Sequence, residues 1–166
     1  MYKINISEDK NENYILLHET IKTQLMDETD LIANLANISS FIYASLPGVN
    51  WAGFYLLKGD TLILGPFCGK PACTRIPMGK GVCGIAAKNK EIIVVPNVHE
   101  FEGHIACDWD TNSEIVLPIY RDGEIFGVLD IDSYTIGYFT DDDKEALSKI
   151  ANSISEFVDK IKCTDG

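Results

Sequence analysis

A chain of 166 residues that is 46% hydrophobic and 23% charged is long enough for one packed domain and too apolar to stay disordered. Its formal net charge of −11 repels nucleic-acid phosphates and anionic membrane surfaces, so a small zwitterionic, cationic or neutral ligand suits it better than a polyanion. No run approaches the roughly 20 apolar residues of a membrane span, and the opening MYKINISEDKNENY lacks a signal-peptide core, which predicts a cytoplasmic protein.

From Glu12 to about Met26, ENYILLHETIKTQLM repeats apolar residues at helical spacing, and DLIANLANISSFIYASL does so again behind a cap at Asp30. Pro47-Gly48 breaks that pattern. NWAGFYLLKGDTLILGPF then reads as two strands around a turn at Lys58-Gly59-Asp60. Gly79 to Lys90, GKGVCGIAAKNK, reads as a glycine-rich turn entering a short helix, and EIIVVP as a compact strand ending at Pro96. EIVLPIYRDGEIFGVLDIDS forms a second hairpin, with Asp-Gly in its tight turn. Thr140 and the carboxylates of DDDKEALSKIANSISEFVDKI open a last helix, where a hydroxyl cap and negative charge suit the positive end of the helix dipole. The order predicts an α+β domain spanning 1–166, with helices packed on one face of a mostly antiparallel sheet.

Five cysteines in a reducing compartment read as reduced, reactive or metal-bound thiols rather than as a paired framework. Cys68, inside GPFCG, and Cys163, after the last helix, fit buried or bystander roles. Cys83 stands at a turn-to-helix junction, where it is either a core residue or a thiol acidified by the helix N-terminus. Cys73 lies in a non-periodic segment that offers little packing. Cys107 follows His104 by three positions and adjoins Asp108 in a polar stretch, a setting for a reagent more than for a core filler. Zinc is the competing use of the same thiols together with His99 and His104. No C-x-x-C pair is present, however, and cysteine separations of five, ten and twenty-four positions match no common structural template.

The carboxylates form a second group. Asp130 and Asp132 alternate with Leu129 and Ile131, so period two puts both acids on one sheet face, either solvated or lining a pocket; Glu114 begins the strand EIVLPIY. Trp51 and Tyr55 fall on one face of their strand as well.

Taken together, NWAGFYLL, GPFCGKPACTRIPMGKGVCG, VVPNVHEFEGHIACD, SEIVLPI and GVLDIDS, in this order, resemble the free methionine-(R)-sulfoxide reductases, a family built on a GAF domain. The resemblance implies an antiparallel sheet of about six strands flanked by helices, with a ligand cavity under loops on one sheet face. It implies that Cys107 is the catalytic cysteine, Cys73 its resolving partner and Cys83 a third active-site thiol, the alternative to Cys73 in resolving the sulfenic acid. Glu114, Asp130 and Asp132 correspond to pocket carboxylates, and Trp51 and Tyr55 to an aromatic wall. The implied activity is reduction of free methionine-(R)-sulfoxide through a sulfenic acid and a disulfide, recycled by a thioredoxin-like reductant, with Glu114 as candidate acid and no metal, nucleotide or flavin. A homodimer is left open. The alternative is a non-catalytic small-ligand or redox sensor on the same fold.

Overall fold

The structure, a computed structural model, describes residues 2–161; Cys163 lies outside the described residues. Two helices open the chain, α1 (Lys10–Asp27) and α2 (Leu31–Ser45). The side chain of Asp9 caps α1 at Asn11 N, and that of Asp30 caps α2 by accepting from Ala33 N at 2.8 Å, each satisfying a backbone donor that the first turn leaves free. Strands β1 (Val49–Lys58) and β2 (Thr61–Gly69) form the first hairpin, and β3 (Arg75–Pro77) pairs with β2 at the sheet edge. Helix α3 (Gly81–Asn89) and strand β4 (Ile93–Val95) follow. The second hairpin is β5 (Ser113–Arg121) and β6 (Glu124–Ser133), and α4 (Asp141–Ile161) closes the described chain. In the β5–β6 turn Asp122 and Gly123 both take positive φ, 52° and 76°, the backbone that matches the twist of paired strands and that Asp-Gly tolerates.

The six strands run β3-β2-β1-β6-β5-β4, and every neighbouring pair is antiparallel. Period-two alternation divides their side chains between two cores. On one face Phe54, Ile115, Leu117, Leu129 and Ile131 pack against buried residues of α1, α2 and α4, such as Ile21, Ile42 and Ile154. On the other, Trp51, Tyr55, Val116 and Val128 pack against Val82, Cys83, Ala86 and Ala87 of α3. Helices therefore cover both faces, whereas the pattern of elements alone placed them on one. Short α3 covers its face only in part, and the acidic end of the sheet is left to the loops.

One local detail differs from its sequence reading. Thr140 precedes α4 as expected, but its hydroxyl donates to Asp143 Oδ2 at 2.8 Å and its N–H donates to the same oxygen at 2.7 Å. The capping group is the Asp143 carboxylate reaching back, the acidic half of a capping box.

Candidate active site

Antiparallel register builds the floor of the site. Trp51 of β1 stands opposite Asp132 of β6, which stands opposite Glu114 of β5. One row further along, Gly53 stands opposite Asp130, which faces Val116. Glycine is required there: a Cβ on Gly53 would lie 2.4 Å from Phe67 Cβ and 2.7 Å from the Trp51 ring. The indole lies across that gap, stacked with Phe67 at 5.4 Å and with Tyr55 at 6.0 Å. Both aromatics also hold the segment after β2. Trp51 Nε1 donates to the Lys70 carbonyl at 3.0 Å, and the Tyr55 hydroxyl donates to the Cys73 carbonyl at 2.9 Å.

Above this floor, α3 brings Cys83, the 70–74 segment brings Cys73, and the 101–112 loop brings His104, Cys107, Asp108 and Thr111. All of these but Cys73 line a cleft of ≈ 520 Å³, a volume that includes its opening to solvent. The upper loop is anchored by Asn50, whose Nδ2 donates to Asp108 Oδ2 at 3.2 Å and to Thr111 Oγ1 at 3.0 Å. Lys70 reaches across to Asp108 at 3.6 Å and to Asp110. The two loops are also joined covalently: Cys73 and Cys107 form a disulfide with Cα atoms 5.7 Å apart, 34 residues apart in sequence, a separation ordinary for such a bond.

Below the disulfide lies a buried acid cluster. Glu114 and Asp130 are each 6% exposed. Burial pushes Glu114 up to about 8, with Asp132 repelling its charged form. Burial likewise raises Asp130 and Asp132 well above the ordinary carboxylate range, each aided by the neighbouring carboxyl. Like charges this close and this deeply buried cannot all ionise, so the cluster keeps protons at neutral pH. Asp130 Oδ1 and Asp132 Oδ1 nevertheless have no hydrogen-bond partner, although both residues line the cleft and buried acceptors are ordinarily paired. His104 Nε2 stands 3.5 Å from Glu114 Oε2. Burial lowers the imidazole while it raises the carboxyl, so at neutral pH this contact is a neutral acid beside a neutral imidazole and not an ion pair.

The structure thus brings together all of the residues singled out in the sequence: Cys73, Cys83, Cys107, Glu114, Asp130, Asp132, Trp51 and Tyr55. Cys73 meets the cleft through its bond to Cys107. Cys68 is a free thiol outside this lining. The zinc set considered from sequence is not assembled: His99 pairs outward with Asn112 at 2.9 Å, and two of the four thiols are bonded to each other. Asn50, Asp108 and Thr111 escaped the sequence reading as site residues. Asn50 opens the NWAGFY motif and Asp108 follows Cys107 directly, so adjacency was the signal that could have found them.

A GAF domain model matches residues 30–156. The chain is 48% identical to the free methionine-R-sulfoxide reductase of Escherichia coli (strain K12), over 89% of this chain and 90% of that one. It belongs to the free methionine-R-sulfoxide reductase family of GAF-domain proteins. A Saccharomyces cerevisiae protein of the same name is 45% identical over 92% of this chain and 91% of its own. The X-ray structure of the free methionine-R-sulfoxide reductase from Neisseria meningitidis, in complex with its substrate, superposes with a TM-score of 0.94 at 38% identity, covering 99% of each chain.

Proposed function

We propose that this chain reduces free methionine-(R)-sulfoxide to methionine, with Cys107 as nucleophile, Cys73 as resolving thiol and Glu114 as acid. The observation that carries this reading is the Cys73–Cys107 disulfide beside a cleft lined by the buried Glu114 carboxyl. A sulfoxide sulfur accepts a thiolate readily only when its oxygen is protonated or strongly hydrogen-bonded, and a carboxyl held up to about 8 supplies that proton at neutral pH.

In the reaction, the Cys107 thiolate attacks the sulfoxide sulfur while Glu114 protonates the oxygen. The oxygen passes to Cys107 as a sulfenic acid and methionine leaves, two electrons richer. The Cys73 thiol then displaces that oxygen as water and forms the disulfide. A thioredoxin-like dithiol restores both thiols by exchange, oxidising itself in turn. Asp130 and Asp132 hold the substrate's ammonium group through their unpartnered oxygens, and Trp51 and Tyr55 wall the cleft. Cys83 is buried and free, with its thiol raised by burial and by Asp130, Glu114 and Asp132, so it is a poor thiolate and stands outside this cycle. A reducing cytoplasm suits the cycle, and among the described residues no helix is long and apolar enough to cross a membrane.

Single-turnover assays on pre-reduced protein test the assignment. Cys107→Ser should release no methionine, because serine is a far weaker nucleophile. Cys73→Ser should release up to one equivalent and then stall with a thioredoxin-like reductant. Methionine release by the Cys107 variant at the parent rate would remove the central assignment.

A further inference from the structure

The reaction proposed above leaves one buried nucleophile unused. Cys83 enters from α3, Glu114 from β5 and Asp130 from β6, and one ligand atom of each lies within 4.8 Å of the other two. All three residues are at least nine-tenths buried, at 4%, 6% and 6% exposure. Asp130 lies against both Cys83 and Glu114, and its Oδ1 has no hydrogen-bond partner. A carboxylate oxygen that deep in the protein and unpaired, on a residue that lines the cleft, calls for a cation.

The donor set states which kind. One thiol sulfur and two carboxylate oxygens, on residues that all line the cleft, match the three-ligand donor sets of zinc chemistry. Calcium and magnesium demand more oxygen ligands, and the sulfur disfavours them. The protons that hold the cluster together are also what such an ion displaces: it offsets in one step the repulsion among groups that burial keeps protonated. Spacing in the sequence conceals this set, because its members come from three separate elements. It is also a different set from the cysteine and histidine combination weighed there.

We propose that Cys83, Glu114 and Asp130 bind a thiophilic divalent cation of the zinc class, and that its binding shuts the reductase off. The ion occupies Glu114, the proton donor, and Asp130, the seat of the substrate ammonium, so it competes with substrate. The inhibitory half rests on the proposed activity; the binding half does not.

The disulfide form of the full chain gives the cleanest test, because Cys73 and Cys107 are then unavailable as ligands. With Cys68→Ser and Cys163→Ser as background, Cd²⁺ is titrated and the thiolate-to-metal charge-transfer absorption in the ultraviolet is followed. The band should saturate at one equivalent and disappear in Cys83→Ser. Asp130→Asn should weaken binding by about tenfold or more, and affinity should rise by roughly tenfold per pH unit for each proton released. No band, or a band indifferent to Cys83→Ser and to Asp130→Asn, would overturn the site. Zn²⁺ should then raise the apparent KM for methionine-(R)-sulfoxide without changing kcat, in assays driven by a phosphine in place of a chelating dithiol. Zinc inhibition that lowers kcat at unchanged KM would overturn competition with substrate. A chain that binds Cd²⁺ as expected but reduces no sulfoxide would sink the proposed function and leave the metal site standing.

Discussion

Glu114 is a carboxyl whose environment has set its chemistry. Burial and the neighbouring Asp132 hold it up to about 8, so its protonated, donating form predominates below that value and is lost above it. kcat/KM for methionine-(R)-sulfoxide should therefore show an alkaline limb near pH 8, about tenfold per unit above the limb. Glu114→Gln keeps the shape without the proton; it should cost about 10²- to 10⁴-fold and abolish that limb. A variant that keeps both the rate and the limb would assign the proton to another group. The aspartates make a separate prediction. Burial and their carboxyl neighbours raise both, and an ammonium should draw them down on binding. N-acetyl-methionine sulfoxide carries no ammonium and leaves Asp130 Oδ1 unpaired. Its kcat/KM should fall by about 10⁴-fold relative to the free amino acid. Equal values for the two would show that these aspartates do not read the substrate's charge.

Between elements, one contact that a single change would undo locks α1 to α4. Asp143 Oδ1 accepts from the Tyr14 hydroxyl at 2.7 Å and pairs with Lys10 Nζ at 2.7 Å, while its other oxygen takes both donors of Thr140. Burial pushes this carboxyl up, but Lys10, Thr140 and Tyr14 outweigh burial and hold it below its usual value. Asp143→Ala strips the α4 cap and strands a buried hydroxyl, so it should destabilise the fold by roughly 3 kcal/mol, read as a lower denaturant midpoint at unchanged slope. The loss in Asp143→Ala combined with Tyr14→Phe should be smaller than the sum of the single losses, because the two substitutions remove one shared interaction. Strict additivity would show that the residues act independently. The cleft lies across the sheet from this contact, and Cys73–Cys107 chemistry should survive in the folded variant.

For the whole molecule, the acid cluster costs stability at the pH where it works. Folding raises Glu114 from its ordinary 4.5 to about 8, and Asp130 and Asp132 are raised in the same direction. Between these limits the folded state holds more protons than the unfolded one, so stability declines as pH rises through that window. Asp143 acts oppositely at the acid end: its lowered folded value contributes stability above the ordinary 3.8 that is lost as pH falls through it. His18 and His104, both lowered by burial, oppose the decline near their ordinary value of 6.5 without matching three carboxyls. Thermal melts of the ligand-free protein should therefore peak on the acid side of neutrality, and Glu114→Gln should flatten the fall toward pH 8. A Tm that climbs steadily from pH 5 to pH 8 would contradict the raised carboxyls.

Local signals carried much of this molecule. Asp30 before an apolar helix, Asp122-Gly123 between alternating strands and the acidic first turn of α4 each specify backbone through contacts a few residues away, and those elements stand where the sequence puts them. Alternation along β6 separated Asp130 and Asp132 from Leu129 and Ile131, because neighbouring strand residues point to opposite faces. Other features depend on contacts that no spacing encodes. That α3 covers the second face follows from how the chain crosses the sheet. That Glu114 sits beside Asp132 follows from the β5–β6 register, and the closeness of Cys83 to Asp130 and Glu114 follows from α3 packing over that register. Both loops had to fold over the floor before Cys73 could reach Cys107. Proton affinities were the least legible in the sequence: a carboxyl is an ordinary acid in water, and only burial beside its own kind in the assembled cleft makes it a proton donor at neutral pH.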